Sequence, residues 1–174
     1  MFVVFLIGFI ACMLWYLSPH NVNKTFVGVL YQLGIENAHN AEQVTIEVHG
    51  KIQRHLFRPM SFKGRIRIND ELLPPRGSFE DELTINLGKD HYGGPIHYFN
   101  REEMRIYSYG SLFFNKNFSQ LTIVKYEMRK NGENTSYGWN SENGWMIAAP
   151  AADRTEALQI SNAFMSRSIP NPLE

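Results

Sequence analysis

Two histidines and an aspartate in the middle of the chain are the residues best suited to metal chemistry. Asp90, His91 and His97 lie around a Gly-Gly-Pro turn. Two imidazoles and a carboxylate can bind Zn²⁺, but their spacing here follows no established metal-binding motif. We therefore expect no cofactor, and a metal-dependent or other hydrolase that uses Asp90, His91 and His97 is the alternative function.

Aromatic side chains form a second candidate site. They make up 13% of the chain, and most of its tyrosines and tryptophans follow residue 90. Such rings can line a groove for a sugar or a peptide, although they also fill the core or the rim of a β-sheet. Tyr107, Tyr109 and Trp139 are the best candidates for ligand binding.

A basic stripe is a third feature with possible chemistry. Lys63, Arg65 and Arg67 alternate along one predicted strand and share one face of it. With Arg54 and Arg58 nearby, this face could attract an anionic polymer or a lipid headgroup. Pairing with Glu80 and Glu82 on a neighbouring strand is the favoured interpretation.

Most other kinds of catalysis have no support in the sequence. The chain contains no G-x-S-x-G, P-loop or G-x-G-x-x-G motif. Its single cysteine, Cys12, lies in an apolar segment, which excludes a cysteine nucleophile. The formal net charge of zero and the pI near 7.0 argue against nucleic acid as a partner.

The N-terminal segment is the most informative part of the chain. Residues 1–17 carry no charged side chain. Crossing about 30 Å of hydrocarbon takes roughly 20 helical residues, so this segment is slightly short. Trp15 and Tyr16 suit an interfacial aromatic belt, and Pro19 suits a helix stop. We expect residues 1–19 to form a transmembrane signal-anchor in contact with membrane lipid.

Two other fates of this segment remain open. A cleaved signal peptide would need a basic start and a small-residue cleavage site, and neither is present. Lipidation of Cys12 would need a polar sequence after the cysteine, but residues 13–17 stay apolar. With the anchor uncleaved, we expect a single-pass protein of the cell membrane whose domain is extracytoplasmic.

Residues 20–43 are predicted to form a short helix and a linker. Phe26, Val29, Leu30 and Leu33 follow the spacing of one helical face, and Gly34 suits the helix end. A polar linker then extends to residue 43.

Residues 44–174 are predicted to form a globular β-rich domain. Alternation of apolar and polar residues predicts strands at 44–48, 62–68, 83–87, 96–99, 104–109, 111–114, 121–129 and 145–149. Asn131-Gly132 predicts a hairpin turn inside a three-stranded meander over 121–149. A helix is predicted at 153–165. The expected fold class is therefore α+β: an N-terminal transmembrane helix, then a mainly antiparallel β-sheet domain with a C-terminal helix.

Several short motifs over residues 44–165 resemble a family of uncharacterised small membrane-anchored proteins of Gram-positive, spore-forming bacteria. They are Gly50-Lys51-Ile52, Leu56-Phe57, Phe62-Lys63-Gly64 with Ile66 and Ile68, Gly110-Ser111-Leu112, Phe118, Leu121-Thr122-Ile123, Ala148-Ala149-Pro150-Ala151, Arg154 and Glu156-Ala157. The resemblance implies a location and a fold, and it implies no reaction and no functional residue.

The function expected from the sequence is a non-enzymatic binding or accessory role at the cell envelope. The partner would be an envelope protein or polymer that is recognised at a sheet face or a loop rim. A structural role beside a neighbouring membrane complex is a further alternative, which a contiguous exposed apolar patch would support.

Overall fold

The chain folds as a mainly antiparallel β-sheet that curls on itself, with one helix before it and one helix after it. The computed structural model describes residues 2–88, 93–115, 117–132, 134–166, 169 and 171–174. The elements are α1 (Phe2–Leu17), β1 (His20–Gln32), a 3-10 turn (Ile35–Asn37), β2 (Ala41–Gln53), β3 (Met60–Ile68), β4 (Glu71–Leu73), β5 (Leu83–Leu87), β6 (Gly93–Asn100), β7 (Arg105–Phe114), β8 (Leu121–Lys125), β9 (Glu127–Asn131), β10 (Asn134–Gly138), β11 (Trp145–Ala149) and α2 (Arg154–Met165). The expected α+β class is confirmed.

The main sheet has the strand order β4-β3-β2-β1-β11-β8-β7-β6, and β5 also pairs with β3. Its longest pairing joins β1 to β2, with His20 opposite Ile52 at one end and Tyr31 opposite Ala41 at the other. We call the end of the sheet where β1 begins the helix end, because α1 leads into it, and the opposite end the far end.

The two edges of this sheet approach each other. The amide of Phe79, just before β5, donates to the carbonyl of Phe99 on β6 at 3.0 Å, and Ser78 forms an isolated bridge with Asn100. The amide of Gly88 donates to the carbonyl of Gly93 at 2.9 Å. These contacts hold the sheet in its curl and enclose one face of it.

The enclosed face carries the larger apolar core. Alternate residues of nearly every strand point inward and are buried, as the period of two requires. Phe62 and Phe114 lie at its centre, with ring centroids 6.4 Å apart. Burying a large apolar side chain contributes about 1.5–3 kcal/mol, so this inner core is the main source of stability.

The outer face of β1, β11 and β8 forms a second core beneath α2. Ala157, Ser161 and Met165 are the buried positions of the helix, and their spacing of four residues places them on one face. Asp153 caps the helix by accepting the amide of Glu156 at 2.9 Å, and the Glu156 carboxylate accepts the amide of Ala152 at 2.8 Å. The predicted C-terminal helix is thereby confirmed.

The predicted short helix within residues 20–43 is wrong, because this segment supplies the central strand β1. The strand is buried on both faces: Phe26 lies in the inner core, whereas Val29 and Tyr31 lie in the outer core. Two-sided burial places apolar residues at adjacent positions, and this pattern imitated helical spacing. The sheet therefore begins at His20 rather than at Val44.

The predicted three-stranded meander is also only partly right. The Asn131-Gly132 hairpin is present, with Asn134 opposite Asn131. However, β9 and β10 form a separate two-stranded sheet, while β11 pairs with β8 and β1 in the main sheet. The predicted strands at 104–109 and 111–114 are one strand, β7.

Helix α1 is 16 residues long, with no acidic residue in its first turn and no basic residue in its last turn. Neither α1 nor α2, the two α-helices in the described residues, is long and apolar enough to cross a membrane.

A buried polar contact joins α2 to the sheet. The Tyr31 hydroxyl donates to Ser161 Oγ at 2.7 Å, and Thr122 Oγ1 lies 3.2 Å from the same oxygen. Burial raises the pKa of Tyr31 to about 12, against the lowering effects of the Ser161 hydrogen bond and Arg154. The Tyr31 phenol is therefore neutral in the folded protein at physiological pH.

We expect Tyr31→Phe to lower the free energy of unfolding by about 1–2 kcal/mol at neutral pH, because Ser161 loses the buried hydrogen bond from Tyr31 and keeps its contact with Thr122. The Tyr31 pKa is higher in the folded chain, about 12, than its usual 10.0. Wild-type stability should therefore hold below pH 10 and fall by about 3 kcal/mol as pH rises toward 12. Urea denaturation at each pH measures this.

The Tyr31→Phe variant should lose less stability than the wild type over the same pH range. Ser161→Ala is the matched control, because it removes the hydrogen bond but leaves the buried phenol to titrate. If Tyr31→Phe and the wild type lost the same stability at alkaline pH, ionisation of Tyr31 would not be the cause of that loss.

Candidate functional site

Two of the three aromatic candidates, Tyr107 and Tyr109, lie at the far end of the sheet, where β6 and β7 pair. The register places Tyr98 opposite Tyr107, and their rings stack with centroids 5.8 Å apart and planes 6° apart. Tyr137 of the β9–β10 hairpin lies against Tyr107, with centroids 6.0 Å apart. We call Tyr98, Tyr107, Tyr109 and Tyr137 the tyrosine cluster.

A β-bulge explains the position of Tyr109 in this cluster. Ile96 pairs with Gly110 but His97 pairs with Ser108, so Tyr109 is the extra residue on β7. A bulge changes the direction in which the side chains of its strand point. As a result Tyr109 is only 9% exposed and belongs to the inner core, while Tyr98 packs against that core from its edge.

Carboxylates accept hydrogen bonds from two hydroxyls of the cluster. Tyr109 donates to Glu71 Oε2 at 3.3 Å, and Tyr107 donates to Glu103 Oε2 at 2.8 Å. Burial, and then the charge of Glu71, raise the pKa of both Tyr98 and Tyr109. The hydrogen bond to Glu103 raises the pKa of Tyr107. These phenols stay neutral at physiological pH, which suits hydrogen bonding and stacking rather than acid–base chemistry.

Trp139 lies in different surroundings from Tyr107 and Tyr109. It packs against the outer core, together with Phe113 and Tyr126. Its Nε1 is buried, and no hydrogen-bond acceptor meets it in the described part of the chain. The structure thus brings Tyr107 and Tyr109 into one cluster and assigns Trp139 to the packing of the outer face.

The predicted metal ligands are only partly described. Asp90 and His91 lie outside the described residues, whereas His97 is exposed on β6. Among residues 2–88, 93–115 and the later described segments, no group of three His, Cys, Asp or Glu side chains could hold a metal ion. The site formed by Asp90, His91 and His97 stays a prediction.

The basic stripe on β3 is largely engaged with acidic or carbonyl oxygens. Lys63 Nζ lies 3.7 Å from a Glu82 carboxylate oxygen, and Arg67 Nε lies 3.4 Å from one of Glu47. Arg65 Nε donates to the carbonyl of Asp81 at 2.7 Å. The sequence predicts pairing of this stripe with Glu80 and Glu82. Glu82 does pair with Lys63, but the second acidic partner is Glu47 of β2 rather than Glu80.

Two features escaped the sequence analysis. Tyr137 was not selected, although the hairpin predicted by Asn131-Gly132 brings β10 beside β7. In the loop of residues 54–59, the sequence places Arg54 and Arg58 near the basic stripe, but it does not predict the exposed apolar tip formed by Leu56 and Phe57. Its signal was the stretch of residues 48–69, which contains no Asp or Glu in a chain that has 17 of them.

The two kinds of tyrosine should differ in their contribution to stability. We expect Tyr109→Ala to lower the free energy of unfolding by about 3–4 kcal/mol, because it leaves a cavity in the inner core. Tyr107→Ala should cost about 1 kcal/mol, since it mainly removes one stacked ring. Urea denaturation of the two variants measures the difference. Similar losses would show that Tyr107 is also a core residue and is not free for binding.

The far end thus presents stacked, neutral tyrosines beside Glu71 and Glu103, an arrangement suited to holding a ligand by stacking and hydrogen bonding. Comparison of the chain with protein-family models, with curated proteins and with solved structures found no match.

Proposed function

We propose that the chain is a membrane-anchored, non-enzymatic binding or accessory protein of the cell envelope, held to lipid by α1. The observation that carries this proposal is the exposure of α1. Seven of its large apolar side chains are 49–71% exposed: Leu6, Ile7, Phe9, Ile10, Leu14, Trp15 and Tyr16.

Energetics favour lipid as the surroundings of this helix. Fully burying a large apolar side chain gains about 1.5–3 kcal/mol, so burying the part of these seven that is still exposed represents roughly 6–12 kcal/mol. A typical domain has a total stability of only about 5–15 kcal/mol. Leaving α1 in water would forgo a gain comparable to the stability of a whole domain, and lipid recovers that gain.

The length of α1 is compatible with lipid insertion. Its 16 residues extend about 24 Å at 1.5 Å per residue. A helix somewhat shorter than the hydrocarbon layer is accommodated by local thinning and by snorkelling of flanking side chains, at a modest cost per ångström. Trp15 and Tyr16, at the end next to the sheet, are suited to the headgroup level.

The proposed binding role rests on the tyrosine cluster at the far end. The rings of Tyr98 and Tyr107 stack, and the hydroxyls of Tyr107 and Tyr109 donate to carboxylates, so the cluster offers a surface suited to recognition by stacking and hydrogen bonding. With α1 in the bilayer, this end of the sheet is the one remote from lipid. An envelope protein or polymer is the proposed partner.

We expect full-length protein to float with phospholipid vesicles in a density gradient. Replacing Ile7 and Ile10 by Asp should abolish flotation, because each charge within an apolar helix costs about 3 kcal/mol in lipid. Ile106→Asp is the matched control, since Ile106 is 60% exposed but lies on β7. That variant should float like the wild type. Wild-type protein that stays in the aqueous fraction would contradict the proposal.

The orientation of the domain needs its own experiment. We expect a fusion of alkaline phosphatase after Glu174 to be active in a Gram-positive host, because the enzyme folds only outside the cytoplasm. The same position fused to a fluorescent protein that matures only in the cytoplasm should stay dark. The opposite pair of results would place the domain in the cytoplasm.

A further inference from the structure

The loop between β2 and β3 displays apolar side chains at its tip. Phe57 is 97% exposed and Leu56 is 48% exposed, so the first is almost fully in solvent and the second about half. The base of the loop is closed by a contact of 3.2 Å between His55 Nε2 and Ser61 Oγ. The loop is therefore a defined projection that presents two apolar residues.

This loop lies at the helix end, beside the last turn of α1. Leu17 and residues 53–58 line one shallow cleft of about 340 Å³. The Arg54 guanidinium lies 5.3 Å from the centre of the Tyr16 ring, a cation–π contact that ties the loop to α1. The loop tip and the end of α1 thus belong to one surface.

Charge is divided between the two ends of the sheet, although the chain is neutral overall. At the helix end, residues 18–24 and 51–62 contain four Lys or Arg and no Asp or Glu. At the far end, residues 33–40, 69–80 and 101–104 contain six Asp or Glu and two Arg. The positive end is the one that carries α1, and anionic lipid headgroups complement it.

We propose that the loop of residues 54–59 is a second membrane contact. Leu56 and Phe57 enter the interface of an anionic phospholipid bilayer, while Arg54 and Arg58 bind lipid phosphates. This inference rests on the proposed function, in which α1 lies in the bilayer. It adds that the helix end of the sheet is seated on the lipid surface rather than held above it.

The size and the charge of the loop favour a bilayer over a protein as its occupant. A stable protein interface buries about 800 Å² on each partner, far more than two side chains at a loop tip provide. An apolar pair flanked by arginines instead matches the chemistry of a phospholipid surface, with acyl chains below the phosphates. Its continuity with α1 brings it to that surface.

A single-cysteine probe tests this inference in the full-length chain. Cys12, the only cysteine, is replaced by Ser, and Phe57→Cys carries an environment-sensitive fluorophore. The protein is reconstituted into vesicles of phosphatidylcholine and phosphatidylglycerol that contain nitroxide-labelled lipid. Ile35→Cys is the matched control, because Ile35 is apolar and 74% exposed but lies at the far end.

We expect nitroxide quenching at position 57 to be several times that at position 35. Adding Arg54→Gln and Arg58→Gln should weaken quenching at 57 in anionic vesicles, since each arginine near an anionic surface strengthens binding about fivefold. Flotation of the same labelled variants with vesicles in a density gradient is measured in parallel, as a test of the anchor itself.

Other results would overturn the inference in distinct ways. Equal quenching at positions 57 and 35 in chains that float would remove the loop contact and leave the anchor in place. Chains that fail to float would remove the proposed function itself. A fluorophore at 57 that is shielded from both nitroxide lipid and aqueous iodide would identify a protein contact instead.

Discussion

Two residues, Ser18 and Pro19, are all that separate α1 from β1, and this short connection constrains the rest of the molecule. β1 pairs with β2 over almost its whole length and with β11 at its second half, so it lies at the centre of the sheet. The end of α1 is therefore placed directly against one end of the folded domain. Whatever surrounds α1 also lies next to that end.

The consequence of this constraint is a molecule with two unlike ends. One end combines the exposed apolar helix, an apolar loop tip and an excess of basic side chains. The other combines stacked tyrosines with an excess of acidic side chains. A neutral total charge hides this division, because opposite charges cancel in the sum while remaining separated along the strands.

Much of the sheet could be predicted from its sequence because most strands are buried on one face only. β3 and β5 alternate cleanly between buried and exposed residues, and the predicted bounds are close to the observed ones. β1 could not be predicted, since burial on both faces erases the alternation that identifies a strand. The tyrosine cluster was partly predicted through Tyr107 and Tyr109. The inward position of Tyr109 depends on a bulge, and the addition of Tyr98 and Tyr137 depends on strand pairing and hairpin packing, which local patterns do not encode.

β1 also sets a distance. Its 13 residues, at about 3.3 Å each, extend roughly 40 Å from one end of the sheet to the other. Because only two residues connect α1 to β1, no flexible linker can change the distance between α1 and the other end of the strand. With α1 held in lipid as proposed, the domain acts as a spacer of set height, and a molecule that meets the tyrosine cluster does so at the end of the sheet remote from the lipid surface.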